Sequence, residues 1–287
     1  MPAKEKNFNV FRITSTPFRP ELMSGLLWEL DLEGITEEDN FILVYTDEGI
    51  NITSEKIEQL LNGLVNEGFL EKFIIEKNTV ENKNWNEIWE KSREVIRISD
   101  KIVIKPTFKE YIPQTNELVL TIDPKMSFGT GEHQTTQLVL NLLERYVKPG
   151  MKVLDVGSGT GVLAITAVKL GAASAVAVDN DEWCYENCKE NAELNNVSNS
   201  IKIITGDIKN VDEKGFDLVL ANIQKNILLE ILDDLKMKIK ENGILILSGL
   251  LLKDEEEIMI SYSDSGFTFE EESVKDDWIS LVFNFTG

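Results

Sequence analysis

The run VLDVGSGTG at residues 153–161, followed by Asp179, constrains this chain more than any other feature. An apolar stretch that leads through an acid into Gly-x-Gly-x-Gly predicts a strand turning sharply into a helix, because glycine adopts positive φ without steric cost. A second apolar run ends at Asp179, eighteen residues after the last glycine, where a carboxylate can accept both hydrogen bonds of a ribose diol. Together they predict a nucleoside cofactor at the carboxyl edge of a parallel sheet.

The loop spacing also bears on which cofactor binds. It differs from Gly-x-Gly-x-x-Gly, and Asp155 just before it would repel a pyrophosphate and favour a cation. We therefore expect S-adenosylmethionine, with the backbone of Gly157 and Gly159 close to it. Asp155 would order the loop and, directly or through water, the methionine ammonium. A nicotinamide or flavin cofactor, and a glycine turn without a ligand, stay open.

Composition limits the classes of partner. A formal net charge of −21 over 287 residues disfavours nucleic acid, whose phosphates need clustered Lys and Arg, and suits a basic protein. We find neither a membrane-spanning apolar run nor a signal-peptide pattern and expect a cytoplasmic protein, as a monomer. Cys184 and Cys188 with a single histidine predict reduced thiols and no metal site.

From residue 101 onward, apolar runs alternate with helical patterns, which predicts a doubly wound parallel α/β sheet. We expect strands near 151–156, 174–179, 201–206, 216–221 and 243–248, and helices at about 161–171, 181–195 and 224–240. The last segment, FTFEEESVKDDWISLVFNF, predicts two strands joined by a charged turn at 275–277. Such a terminal antiparallel hairpin is typical of the class I methyltransferase fold, which this half resembles.

The N-terminal part predicts a different unit. Residues 1–80 should form a small α+β domain of ferredoxin-like type, with strands near 7–14, 41–46 and 69–76 and helices near 20–31 and 54–66. The amphipathic pattern at 84–97 predicts a helix whose Trp85 and Trp89 pack between domains. The expected division is 1–80, a linker at 81–100, and a catalytic domain at 101–287.

A second motif, DPKMSFGTGEHQTT at 123–136, follows a predicted strand and precedes a helix. This loop can fold over the cofactor, with Phe128 as an apolar cover. Thr135 or Thr136 would cap the helix or reach the methionine end. For His133, capping and catalysis are both open.

The motifs KIVIKPTF, DPKMSFGTGEHQTT, VLDVGSGTGVLAITAVKLGA, LVLANI and GILILSGLL together resemble the bacterial ribosomal protein L11 methyltransferase family over nearly the whole chain. The resemblance implies S-adenosylmethionine-dependent methylation of lysine side-chain or N-terminal amino groups of that large-subunit protein. It also implies an N-terminal substrate-recognition domain and a helical linker. Carried over by position, cofactor contacts fall on Thr136, Gly157, Asp179 and Asn222.

Asn222 is also the expected catalytic residue, because its side chain or its backbone carbonyl can accept a hydrogen bond from the target amine and aim the lone pair. The segment ANIQKN lacks the proline and the aromatic residue that hold planar amides or bases, which favours an alkyl amine. Asp207 would accept a hydrogen bond from the adenine amino group or cap a turn.

Three other functions stay open at this stage. The same chemistry on another protein's lysines is one, because residues 1–80 decide the substrate. A cofactor-binding adaptor without catalysis is the second, although the intact ANI and FGTG motifs argue against it. A nicotinamide oxidoreductase is the third.

Overall fold

The fold was analysed in a computed structural model, which describes residues 8–47, 52–80, 94–123 and 127–287. The chain divides into two compact units, Met1–Ser92 and Arg93–Gly287.

In the N-terminal unit, the described residues form one antiparallel sheet and two helices. In chain order its elements are β1 (Phe8–Thr16), α1 (Pro20–Leu27), β2 (Gly34–Glu37), β3 (Ile42–Asp47), α2 (Ser54–Asn66) and β4 (Lys72–Val80). The strand order is β2-β3-β1-β4, so the first strand lies inside the sheet and pairs with β3 and β4. This is a βαββαβ arrangement.

Alternation along the strands explains how this sheet builds its core. In β3 the side chains of Ile42 and Val44 are buried, whereas Leu43 and Tyr45 between them are only partly covered. Successive side chains of a strand point to opposite faces, so one face carries the core.

The C-terminal unit contains the remaining elements. Its strands are β5 (Ile96–Arg97), β6 (Ile102–Lys105), β7 (Leu118–Thr121), β8 (Lys152–Val156), β9 (Ser174–Asp179), β10 (Ile201–Thr205), β11 (Phe216–Asn222), β12 (Ile239–Leu251), β13 (Phe267–Lys275) and β14 (Trp278–Phe285). Its helices are α3 (Gln134–Tyr146), α4 (Val162–Lys169), α5 (Glu182–Leu194), α6 (Lys225–Glu230), α7 (Leu232–Lys238) and α8 (Glu255–Ser263).

Seven of these strands form the central sheet, in the order β10-β9-β8-β11-β12-β14-β13. The first five are parallel, and the terminal hairpin adds β14 and β13 antiparallel. The expected doubly wound sheet with its terminal hairpin is confirmed. Because the chain runs outward from β8 in both directions, the switch point lies between β8 and β11, where ligands of such sheets bind.

Burial on both faces accounts for the apolar central strands. In β11, Leu218 and Leu220 belong to one hydrophobic cluster and Val219 and Ala221 to another, each at most 1% exposed. The covered middle of such a parallel strand is therefore apolar on both faces. The two clusters fix the sheet and with it the loops at its carboxyl edge.

The structure departs from the sequence expectations in several places. The single helix expected at 224–240 is two helices separated at Ile231, and β12 begins at Ile239, four residues earlier than expected. The strand β2 was not anticipated, and neither was the pairing of β7, the strand expected before residue 123, with β5 and β6 in a small sheet. The helix expected at 84–97 falls largely outside the described residues, and its last two residues form β5.

Candidate active site

The glycine loop connects β8 to α4 at the switch point of the sheet. Gly157, Gly159 and Gly161 have φ values of 72°, 52° and 78°, a region that side chains with a Cβ rarely adopt. The backbone N–H groups of Gly157 and Ser158 both donate to the carbonyl of Val178 in β9, with N···O distances of 2.9 and 3.2 Å. The turn is thereby tied to the neighbouring strand.

The space next to each glycine is filled by the protein itself. A Cβ on Gly157 would come within 2.3 Å of Ile223 Cγ2, and one on Gly159 within 2.2 Å of the Phe128 carbonyl oxygen. On Gly161 it would lie 2.4 Å from Cys188 Sγ. Close packing within the chain is thus a further reason for glycine at all three positions, beside positive φ. The approach of the loop amides to a ligand stays a prediction.

Asp179 ends β9 and faces the same loop. Its Oδ2 accepts a hydrogen bond from the N–H of Gly159 at 2.8 Å, and its Oδ1 accepts one from the N–H of Asp181 at 3.1 Å. Burial raises the pKa of the Asp179 carboxyl, and these two N–H groups oppose the rise. Because each carboxylate oxygen retains a lone pair and the residue is partly exposed, Asp179 can still accept hydrogen bonds from a diol.

Asp155 lies beneath the loop and is fully buried. Its Oδ2 accepts a hydrogen bond from the N–H of Ala164 in α4 at 3.1 Å, whereas Oδ1 has no hydrogen-bond partner among the described residues. Burial, reinforced by the charge of Asp179, raises the pKa of this carboxyl to about 7. Asp155 therefore holds the first turn of α4, directly after the glycine loop. Its contact with the methionine ammonium stays a prediction.

Asn222 occupies the carboxyl end of β11, next to β8. Its Nδ2 donates to Thr136 Oγ1 at 3.4 Å, while its Oδ1 is buried without a hydrogen-bond partner among the described residues. Thr136 is completely buried, so its hydroxyl orients Asn222 from inside α3. The following residue, Ile223, is wedged between Gly157 and Gly249, where a Cβ on Gly249 would lie 2.5 Å from the Ile223 carbonyl.

The loop before α3 packs onto the glycine loop. The N–H of Thr160 donates to the carbonyl of Phe128 at 2.9 Å, and the hydroxyl of Thr160 donates to the carbonyl of Gly129 at 2.6 Å. The Phe128 ring lies 5.4 Å from the His133 ring, which contacts Trp278 edge-on at 4.8 Å. Sequence reasoning missed Trp278; its only signal was its place at the start of the terminal strand.

His133 is the N-cap of α3. Its Nδ1 accepts a hydrogen bond from the N–H of Thr135 at 3.3 Å and lies 2.8 Å from that residue's hydroxyl. Because Nδ1 accepts, a neutral ring carries its proton on Nε2. The structure thus favours the capping role for His133.

Asp207 caps a short 3-10 helix after β10. Its Oδ1 accepts a hydrogen bond from the N–H of Lys209 at 2.7 Å, and Asn210 completes a capping box. The side chain lies at the exposed carboxyl edge of the sheet. Asp207 therefore caps a turn, which was one of its two expected roles, and its contact with adenine stays a prediction.

The cysteines flank this site as unpaired, buried thiols on α5. Burial raises the pKa of Cys184 to about 12 and also raises that of Cys188, so neither thiol is reactive at neutral pH. Within the part of the chain that the structure describes, no three His, Cys, Asp or Glu side chains could together hold a metal ion. None of the described helices is long and apolar enough to cross a membrane.

Comparison with known proteins gives one consistent result. The sequence model of the family described as "Ribosomal protein L11 methyltransferase (PrmA)" matches residues 21–286. The chain is 34% identical over 252 residues to a ribosomal protein L11 methyltransferase of Ruminiclostridium cellulolyticum, covering 86% of this chain and 79% of that protein. It is 31% identical to one of Clostridium botulinum, covering 91% and 93%.

A solved structure is similar as well. The crystal structure of ribosomal protein L11 methylase from Lactobacillus delbrueckii subsp. bulgaricus superimposes with a TM-score of 0.64 at 32% identity. The match covers 68% of this chain and all of that one.

Proposed function

The chain belongs to the ribosomal protein L11 methyltransferase family, and we propose that it transfers methyl groups from S-adenosylmethionine to amino groups of ribosomal protein L11. The observation that carries the proposal is the placement of Asn222 beside the glycine loop, at the switch point between β8 and β11. Its buried Oδ1 has no hydrogen-bond partner among the described residues and can accept one from an amine.

The residues at this edge fit S-adenosylmethionine. Asp179 offers lone pairs on both carboxylate oxygens for the ribose hydroxyls, and Phe128 lies over the glycine loop through its bond to Thr160. Asp179 places a carboxylate at the loop, and a bound sulfonium or ammonium would favour the ionised form of the nearby Asp155, whose pKa burial raises to about 7. We assign Thr136, Gly157, Gly159 and Asp207 to the same cofactor site by their position in the family motifs.

Positioning supplies most of the catalysis in this mechanism. S-adenosylmethionine, when bound, would supply a methyl group on a sulfonium, from which the neutral thioether S-adenosylhomocysteine leaves without the help of an acid. The nucleophile must be a neutral amine, and removing it from water next to a positive charge lowers its pKa. Asn222 Oδ1 accepts a hydrogen bond from an N–H of this amine and so aims the nitrogen lone pair at the methyl group. Thr136 and Ile223 hold Asn222 in place.

The chain after β11 favours an alkyl amine as substrate. Ile223, Gln224 and Lys225 provide neither the rigid turn of proline nor an aromatic face for a planar amide or base. Lysine side chains and an N-terminal amine are the amines of this kind in a protein. The alternative of a non-catalytic adaptor gains no support from the site.

We assign substrate recognition to residues 1–80 and catalysis to residues 101–287, with residues 81–100 as the linker between them. The last part of this linker carries β5 and not the expected helix. A net charge of −21 supports a basic ribosomal protein as the partner in preference to nucleic acid. Such a substrate is made in the cytoplasm, where we expect the chain to act, as a monomer.

Transfer of labelled methyl groups tests this function. Purified L11 and a second basic ribosomal protein of similar size are each incubated with the chain and methyl-labelled S-adenosylmethionine. Label on amino groups of L11 only is expected. Label on the second protein alone would show that the chain methylates amino groups of a protein other than L11. No label on either protein would contradict the proposal.

A further inference from the structure

Helix α5 and its C-cap carry three buried asparagines on one face. Asn187, Asn191 and Asn195 are spaced four residues apart and are 2%, 0% and 4% exposed. Residues at this spacing lie above one another on a helix. Three amides in a row on a buried face are unusual, because buried polar groups are costly unless they are hydrogen-bonded.

These amides form hydrogen bonds with the backbone at the end of strand β7 and just after it. Asn195 Oδ1 accepts from the N–H of Thr121 at 2.9 Å, and its Nδ2 donates to the carbonyl of the same residue at 2.6 Å. One turn earlier, Asn191 Oδ1 accepts from the N–H of Asp123 at 2.9 Å, and Asn187 Nδ2 donates to the Asp123 carbonyl at 2.9 Å. A side-chain amide offers one acceptor and two donors and so replaces the peptide group of a neighbouring strand.

Asn191 makes one contact that the other two do not. Its Nδ2 also donates to the carbonyl of Thr160 in the glycine loop at 3.0 Å. The same Thr160 holds Phe128 and Gly129 through its N–H and hydroxyl, as described above. Asn191 therefore joins three segments: α5, the end of β7 and the glycine loop.

We propose that Asn191 is a positioning residue for methyl transfer, which fixes Thr160 and, through it, Phe128 over the cofactor site. The inference rests on the proposed function, because it assigns this site to S-adenosylmethionine. Asn191 and Thr160 are both completely buried, so Asn191 acts on the cofactor only through the loop. Loss of its amide leaves the Thr160 carbonyl without this donor and frees the loop to shift.

The three asparagines supply their own matched controls. Asn191→Ala, Asn187→Ala and Asn195→Ala each remove hydrogen bonds to the backbone at the end of β7 or just after it, but only the first removes the bond to the glycine loop. We expect all three to lower the melting temperature. Only Asn191→Ala should weaken S-adenosylhomocysteine binding, by about tenfold, and raise the KM for S-adenosylmethionine while the KM for L11 stays within about twofold.

Calorimetric titration and steady-state methylation measure these quantities on the full chain. Equal S-adenosylhomocysteine affinities in the three variants would overturn the positioning role. If Asn191→Ala does not fold, Asn191→Ser replaces it, because serine is too short to reach both segments. Failure of the wild-type chain to bind S-adenosylhomocysteine would instead contradict the proposed function, so the two failures are distinguishable.

Discussion

The backbone N–H of Gly159 donates a hydrogen bond to Asp179 Oδ2 across 2.8 Å. This bond joins the turn after β8 to the end of β9, so the glycine loop and the acid that follows the second strand hold each other in place. The carboxylate is thus oriented before any ligand arrives, and preorganisation of this kind reduces the entropy lost on binding.

Removal of this carboxylate should abolish tight cofactor binding. We expect Asp179→Ala to weaken S-adenosylhomocysteine binding by about a hundredfold, because it removes the ribose acceptor and releases Gly159. Isothermal titration measures the affinity. Asp181→Ala is the control, since Asp181 caps α5 through the N–H of Trp183 at 2.8 Å. It should cost about 1 kcal/mol of stability with little change in affinity, and equal losses of affinity in both variants would contradict the assignment.

Asn222 should matter more for turnover than for cofactor affinity. Asn222→Ala is expected to lower kcat for L11 by about a hundredfold, since it removes the group that orients the amine. Thr136→Val keeps the shape of Thr136 but removes the hydroxyl next to Asn222 Nδ2, and should lower kcat by about tenfold. Methylation kinetics and cofactor titration, measured on the same preparations, separate the two effects. Full turnover in Asn222→Ala would exclude its catalytic role.

Asp155 should make stability depend on pH. Its folded pKa of about 7 lies above the ordinary value of 3.8, so between these values the folded chain keeps a proton that the unfolded chain has released. The stabilisation from this group is complete below about pH 4 and is lost as the pH rises through 7. The melting temperature of the ligand-free wild type, relative to Asp155→Asn, should therefore fall between pH 5 and pH 8. Parallel curves for the two proteins would show that Asp155 titrates normally.

Gly157 should be coupled to Ile223. Gly157→Ala adds a Cβ at φ 72° and only 2.3 Å from Ile223 Cγ2. We expect Ile223→Ala to relieve part of this cost, so that the double variant is about 1 kcal/mol more stable than the sum of the single effects predicts.

Gly150 offers the matched control for this cycle. Its φ is 87° and no atom lies within 4 Å of its missing Cβ, so Gly150→Ala carries the backbone cost without the clash. Its combination with Ile223→Ala should be additive in the free energy of unfolding, measured by urea denaturation. Coupling of equal size in both cycles would show that Ile223 does not fill the space next to Gly157.

The sequence predicted the elements whose patterns are repeated and long. The helix at 54–66 and the strand at 174–179 agree with the structure to the residue, because amphipathic spacing and a buried apolar run are unambiguous there. The four-residue strand β2, Gly34–Glu37, carries only one buried side chain and gives no such signal. The break at Ile231 lies within an apolar stretch whose helical spacing continues on both sides.

For the site, sequence reasoning identified residues but not their contacts. Asp179 and Asn222 follow strands and could be placed at the edge of the sheet from spacing alone. The reason for the glycines could not be found in this way, because Ile223 and Phe128 approach them from distant parts of the chain. The asparagines of α5 and its C-cap could have been noticed in the sequence, since they recur every four residues and therefore lie on one face of the helix.

Intact-mass spectrometry of L11 after incubation with S-adenosylmethionine tests the central claim most directly, with wild type and Asp179→Ala side by side. The account predicts mass increments of one methyl group each, about 14 Da, on amino groups with the wild type and none with the variant, in keeping with loss of the ribose acceptor. An unchanged mass of L11 with a wild-type chain that binds S-adenosylhomocysteine would contradict the account.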